Sequence, residues 1–215
     1  NRYRVIKRLS KREYKGGNPE WWDRLKRTCG LGFQLPESMP YKFIDELGQG
    51  SQGKVYLVED TKNGTQMAMK VGPSNDIDRE YAIIQSMMDE VKRSNSDINL
   101  VRVYDIGEYN DPCNERLEGF KYLIMDYIQG EELFDIITSK KFKINIEGTI
   151  YQITKVVDMM HSMSPPIYHF DIKPDNIMVT SGGEAYLIDF GYATIDKSEK
   201  IHTSRYYPME IFIQQ

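Results

Sequence analysis

Asp171, Lys173 and Asn176 stand close together in the run His169-Phe170-Asp171-Ile172-Lys173-Pro174-Asp175-Asn176. Apolar segments of strand length flank them, Pro165-Pro166-Ile167-Tyr168 before and Ile177-Met178-Val179 after. Pro174 is incompatible with the interior of a regular helix or strand, so a loop is expected. A loop pinned between short strands aims a carboxylate, an ammonium and an amide at one small volume, an arrangement suited to catalysis. Thirteen residues beyond Asn176 comes Asp189-Phe190-Gly191, after the apolar run Ala185-Tyr186-Leu187-Ile188. Acidic groups and an amide that converge favour a hard divalent cation with oxygen ligands, Mg²⁺ before softer metals.

Two further groups lie upstream. Gly48-Gln49-Gly50-Ser51-Gln52-Gly53-Lys54-Val55 carries glycines whose backbone N–H groups can approach phosphate oxygens closely. A strand follows this loop directly, where a dinucleotide-binding turn would open a helix, so the expectation is a flap that covers a nucleotide. Lys70 closes the apolar strand Met67-Ala68-Met69-Lys70. Glu80 falls three residues after Ile77 and four before Ile84, near the buried stripe of the following helix. A glutamate on that side needs a partner, and Lys70 is the natural one.

The elements that must position these groups change character along the chain. Strands are expected over 42–47, 55–59 and 66–71, with Asn63-Gly64 as a hairpin turn. An amphipathic helix then starts near Ser74-Asn75-Asp76, its apolar positions Ile77, Tyr81, Ile84, Met88 and Val91. Strands over 100–109 and 120–127 follow, separated by a polar loop. After Gln129-Gly130 the pattern is helical, over 132–138 and 146–162, with Ile150, Ile153, Val157 and Met160 as the buried stripe. The reading is an α+β fold in which a strand-rich half and a helical half meet near Tyr127 to Gly130, with ligands favouring the cleft between such lobes.

At 215 residues and 40% apolar content the chain can bury a substantial core. No apolar run reaches membrane-spanning length, and the N-terminal residues lack the apolar segment of a secretory signal. Two distant cysteines, Cys29 and Cys113, match no metal spacing and read as free thiols of an intracellular, cytoplasmic protein. The net charge of −4 hides an asymmetry. Residues 1–40 hold ten Lys and Arg against four Asp and Glu, a net of +6, which leaves −10 for the remainder. Such an arm could meet nucleic acid, an anionic membrane or the acidic body itself. A solvated or self-docking extension is the simplest reading of the arm, with Trp21-Trp22 packed against the neighbouring lobe, so nucleic acid is not expected as a partner. The chain starts with Asn, which reads as a fragment, a processed product or a trimmed chain.

Taken together, Gly-x-Gly-x-x-Gly-x-Val at 48–55, Ala-Met-Lys at 68–70, His-Phe-Asp-x-Lys-Pro-x-Asn at 169–176 and Asp-Phe-Gly at 189–191 resemble the motifs of eukaryotic-type protein kinases, in that family's order. The resemblance implies a bilobal fold: a basic extension over 1–40, an antiparallel five-stranded N-lobe with one helix over 41–128, and a mainly helical, incomplete C-lobe over 129–215. It implies transfer of the ATP γ-phosphoryl group to a protein Ser or Thr hydroxyl, with ATP and Mg²⁺ bound. By the same resemblance Asp171 is the catalytic base, Lys173 stabilises the γ-phosphoryl and Asn176 and Asp189 hold Mg²⁺. Lys70, paired with Glu80, takes the α- and β-phosphates. The nucleotide would contact Gly48, Gln49, Gly50, Ser51, Gln52, Gly53, Val55 and Ala68. Met125 matches the residue at the back of the adenine pocket, Asp126, Tyr127 and Ile128 the hinge, and Glu132 the ribose contact. Thr203 matches a threonine that touches the catalytic Asp and Lys.

Three departures qualify the resemblance. Phe170 replaces the Arg that in many kinases pairs with a phosphorylated activation loop, so activity without loop phosphorylation is expected. Pro208-Met209-Glu210 replaces Ala-Pro-Glu, with Glu210 keeping its place. The resemblance ends near residue 210, before the last helices of a usual kinase domain, so a further segment or a partner chain is expected to complete the lower lobe. The alternatives are a nucleotide-binding pseudokinase or scaffold, and a kinase of small molecules; Lys173-Pro174 and Thr203 favour protein substrates.

Overall fold

A computed structural model describes residues 35–36, 38–50, 52–109, 119–139 and 144–196. Residues 1–34 and 37 of the arm, Ser51, Cys113, Thr203 and Glu210 lie outside the described residues. The chain divides into two compact units: residues up to Tyr81 with Val103–Tyr127, and Ala82–Arg102 with the residues from Ile128 onward.

Five antiparallel strands build the first unit: β1 (Tyr41–Gly50), β2 (Gly53–Asp60), β3 (Gln66–Pro73), β4 (Val103–Glu108) and β5 (Phe120–Asp126), in the order β1-β2-β3-β5-β4. Alternation sends Tyr56, Val58, Met67, Met69, Val71 and Ile124 to one face, where they pack into a core with Tyr109 and Phe120. Leu35 and Met39, from the segment before β1, pack on the same cluster.

This sheet is strongly curled. β1 and β4 are its opposite edges, four strand spacings or about 19 Å apart if the sheet were flat, farther than a tyrosine and an aspartate can bridge. Yet the Tyr41 hydroxyl of β1 donates to Asp105 Oδ2 of β4 at 3.0 Å, and the Tyr122 hydroxyl of β5 donates to the same oxygen at 3.0 Å. Register shifts in β1, between Phe43 and Asp45 and between Glu46 and Gly48, and in β4 between Val103 and Asp105 supply the bend. Burial, reinforced by Asp105, pushes the Tyr122 hydroxyl up to about 12 and raises that of Tyr41 as well.

Helix α1 (Ser74–Ser94) follows β3. Its buried stripe runs through Ile77, Glu80, Ile83, Ile84 and Met87, while Met88 is only half-buried. The expected stripe was therefore right at Ile77 and Ile84 and rotated at Met88.

In the second unit, α2 (Leu133–Ser139) and α3 (Ile146–Ser162) accompany a three-stranded antiparallel sheet. Its strands are β6 (Gly130–Glu132), β7 (Ile177–Thr180) and β8 (Ala185–Leu187), in that order. This half is thus less purely helical than expected. Glu132 ends a strand where the helix was expected to start. Leu100 lies outside β4 and makes an isolated parallel bridge to Leu187. Asn145 caps α3 by accepting the Gly148 N–H at 2.9 Å. The helix has the bounds expected of it, but its buried face is Thr149, Ile153, Val156, Met159 and Met160. Ile150, expected inside, is 50% exposed, as are Ile137, Ile146 and Tyr151 in about the same degree or more. The apolar period alone did not fix the rotation, because apolar residues lie on both sides of the helix. No described helix is long and apolar enough to cross a membrane.

Candidate functional site

Register places the first group of site residues on one face of the five-stranded sheet. Lys70 pairs with Val55 and Leu123, and Ala68 pairs with Leu57 and Met125. Directly opposed residues share a face, so Val55, Ala68, Lys70 and Met125 line the side away from the aromatic core. Lys70 Nζ donates to Glu80 Oε2 of α1 at 2.6 Å, and both side chains are buried, 7% and 2% exposed. An ion pair this dry is held by mutual dependence, since either charge left alone would be strongly destabilising.

The β1–β2 hairpin shows that its glycines differ in purpose. Gly48 pairs with Val55, Gln49 with Lys54 and Gly50 with Gly53. A Cβ on Gly53 would lie 2.6 Å from the Val71 carbonyl oxygen, so this glycine is required for β2 to reach β3. Among the described residues a Cβ on Gly48 would meet nothing within 4 Å, and one on Gly50 only the Gly53 oxygen at 4.0 Å. Those two leave backbone open rather than packed. Gln52 is buried, its carbonyl oxygen set against Gly72. Asp126 ends β5 and accepts the Tyr104 hydroxyl at 2.6 Å, Tyr127 and Ile128 follow, and Glu132 is an exposed residue of β6.

The second group is assembled within the second unit. Asp171 is 7% exposed. Its Oδ2 accepts from Lys173 Nζ at 2.6 Å and from Asn176 Nδ2 at 2.9 Å. Asn176 Nδ2 also donates to the Asp171 carbonyl at 2.8 Å. The Asn176 amide nitrogen thus serves both the backbone and the side chain of Asp171. Pro174–Asn176 form a single 3-10 turn with Pro174 at its start, where a missing N–H costs nothing. The Ile188 N–H donates to the Asn176 carbonyl at 2.9 Å, which brings the residue before Asp189 beside the amide. For Lys173, burial works against the ammonium, but the bond to Asp171 and the charges of Asp171, Asp189 and Asp175 outweigh it and raise its pKa.

Around this cluster the backbone is strained. Phe170 and Asp189 both have left-handed φ, 60° and 61°, a conformation that costs a non-glycine residue about 1–2 kcal/mol. His169 Nδ1 accepts the Asp171 N–H at 3.2 Å, and its ring meets Phe190 edge-on at 4.9 Å. Burial pushes this imidazole down to about 4, against the opposing charges of Asp189 and Asp171. The His161 ring lies 5.3 Å from that of Tyr168 at an inclination of 41°, and Tyr168 lies 5.9 Å from Phe170.

Asn176 and Asp189 offer hard oxygen donors of the kind Mg²⁺ takes. Among the described residues no group of three or more His, Cys, Asp or Glu could hold a metal. One amide oxygen and one carboxylate are what Mg²⁺ takes when waters and phosphates complete its shell.

Comparison with known proteins gives the family. The family model described as protein kinase domain matches residues 41–214, and the chain belongs to that family. Its relatives include serine/threonine kinases. CBL-interacting serine/threonine-protein kinase 20 of Arabidopsis thaliana is 31% identical over 163 residues, 74% of this chain and 35% of that protein. CBL-interacting serine/threonine-protein kinase 8 of Arabidopsis thaliana is 32% identical over 163 residues, 72% of this chain and 33% of that protein. CBL-interacting protein kinase 10 of Oryza sativa subsp. japonica is 30% identical over 175 residues, 76% and 36% respectively. The chain spans about a third of the length of these curated relatives.

Proposed function

We propose that the chain carries the nucleotide-binding and phosphoryl-transfer residues of a serine/threonine protein kinase, which passes the ATP γ-phosphoryl group to a protein hydroxyl. The observation that carries this reading is the Asp171 carboxylate, buried and held by Lys173 and Asn176. Asp171 orients the substrate hydroxyl and accepts its proton, while the Lys173 ammonium offsets charge on the transferring group. Lys70, kept in place by Glu80, takes the α- and β-phosphates. Asn176 Oδ1 and the Asp189 carboxylate would hold Mg²⁺, which supplies charge neutralisation between phosphate oxygens when bound. Gly48 and Gly50 offer backbone to the phosphates, with Gln49, Ser51, Gln52 and Gly53 in the same flap. Val55, Ala68 and Met125 would bound the adenine, the backbone of Asp126, Tyr127 and Ile128 read its edge, and Glu132 bond the ribose. Thr203 would contact Asp171 and Lys173. On this reading residues 41–128 and 129–215 are the two lobes, and residues 1–40 precede them.

The test is transfer from labelled ATP to a Ser/Thr peptide, with Asp171→Ala and Lys70→Met as comparisons. Mg²⁺-dependent incorporation should fall about 10²- to 10⁴-fold in Asp171→Ala. Equal incorporation by wild type and Asp171→Ala would defeat the assignment.

A further inference from the structure

We propose that Gln152, on α3, is a positioning residue for the magnesium ligands Asn176 and Asp189; the inference rests on the function proposed above. Its amide uses every hydrogen-bonding position it has. Oε1 accepts from Asn99 Nδ2 at 2.8 Å and from the Ala185 N–H at 2.9 Å, while Nε2 donates to the Gly183 carbonyl at 3.0 Å and the Gly148 carbonyl at 3.3 Å. The orientation is dictated by its partners. A backbone N–H at Ala185 demands oxygen and a carbonyl at Gly183 demands nitrogen. One side chain therefore grips the turn of the β7–β8 hairpin through both a donor and an acceptor.

In that hairpin β7 is backed by β6, whereas β8 lies at the edge of the three-stranded sheet. β8 pairs with β7 through Leu187 with Ile177, Tyr186 with Met178 and Ala185 with Val179, and among the described residues its other side has the single bridge from Leu187 to Leu100. An anchor outside the sheet therefore matters most for β8. Asn176 immediately precedes β7, and Asp189 follows β8 after Ile188. The two ligands thus sit at the open end of the hairpin and Gln152 at its closed end, one strand length or about 13 Å away. A loosened turn lets β8 slide or tilt against β7, which separates the amide from the carboxylate. The same helix steadies the hairpin by a second route. Lys155 Nζ donates to the Asp97 carbonyl and Gln152 holds Asn99, so the segment that bridges Leu100 to Leu187 is fastened to α3 as well.

The experiment compares the whole chain with Gln152→Leu, which keeps the volume and removes all four bonds, and with Gln152→Glu, which keeps the acceptors for Ala185 and Asn99 and loses the donors. Three quantities are read: the Mg²⁺ concentration for half-maximal phosphorylation, the KM for peptide, and amide hydrogen exchange across residues 177–189. Gln152→Leu should raise the Mg²⁺ requirement about tenfold or more, the scale seen when the support of a metal ligand is removed, with peptide KM unchanged and exchange at Ala185 accelerated. Gln152→Glu should lie between. A rate that falls only in step with the melting temperature, at unchanged Mg²⁺ requirement, would overturn the proposal. So would unaltered exchange at Ala185 in both variants, a readout that does not depend on catalysis. Absence of Asp171-dependent transfer in the wild type would instead count against the proposed function.

Discussion

Lys70 and Glu80 show what a buried pair demands of a sequence. Their contact was legible because Glu80 falls on the same helical stripe as Ile77 and Ile84, and a carboxylate there must meet a cation. Lys70→Met or Glu80→Leu alone should destabilise the fold by about 3–5 kcal/mol, because each strands a charge. The double variant should recover most of that loss in urea unfolding while ATP affinity stays low; additive losses would show that the charges do not depend on each other. His169 yields a second expectation. Its imidazole titrates near 6.5 in the unfolded chain and near 4 in the folded one. The unfolded chain therefore binds the extra proton between those values. Stability is full above pH 6.5 and falls as the pH drops toward 4, by about 3 kcal/mol. Unfolding of wild type and His169→Gln at pH 7 and 4.5, in metal-free buffer, checks this; equal pH slopes would refute it. Phe170 was legible as a departure, but its left-handed backbone was not, since nothing local to an aromatic residue signals positive φ. With no guanidinium there to bind a phosphate, phosphatase treatment should leave turnover intact, measured before and after treatment.

At the scale of elements, the β1–β2 hairpin separates glycines that serve packing from glycines that leave space. Gly53→Ala should lower the melting temperature, because its Cβ would press on the Val71 carbonyl oxygen at 2.6 Å. Gly50→Ala, with no atom of the described residues nearer than 4.0 Å, should leave the melting temperature unchanged and raise the KM for ATP. A melting temperature that drops equally in both would show that the flap is simply a packed turn. The strands of the five-stranded sheet and helices α1, α2 and α3 were read from period and turn residues with small errors at their ends, but the strand expected over 165–168 is only an isolated bridge from Tyr168 to Thr194, and β6 was not expected. The rotation of α3 was not, because Ile146, Ile150 and Tyr151 offer an apolar face that the described residues leave exposed. The hairpin clamp of Gln152 was equally invisible, since a polar residue on a helix gives no sign of a partner 33 positions away.

For the molecule as a whole, the α+β class and an antiparallel sheet of five strands followed from a meander, a helix and two more strands, while the order that sets β5 between β3 and β4 did not. The three-stranded sheet followed only at its central strand, expected at Ile177-Met178-Val179; its pairing with β6 and β8 did not follow, because strands of three residues carry almost no periodic signal. What could not be read from any local pattern was the curl that lets Tyr41 and Tyr122 share one oxygen of Asp105. A long flat sheet with two open borders invites the strand of another molecule to add on and seed aggregation. Here an incoming strand at either border would have to work around a bulged, twisted rim whose first residue is tied to the far side. The tyrosine pair thus doubles as a guard against clumping, and a chain carrying phenylalanine at both positions should lose solubility on storage sooner than it loses its ability to bind nucleotide.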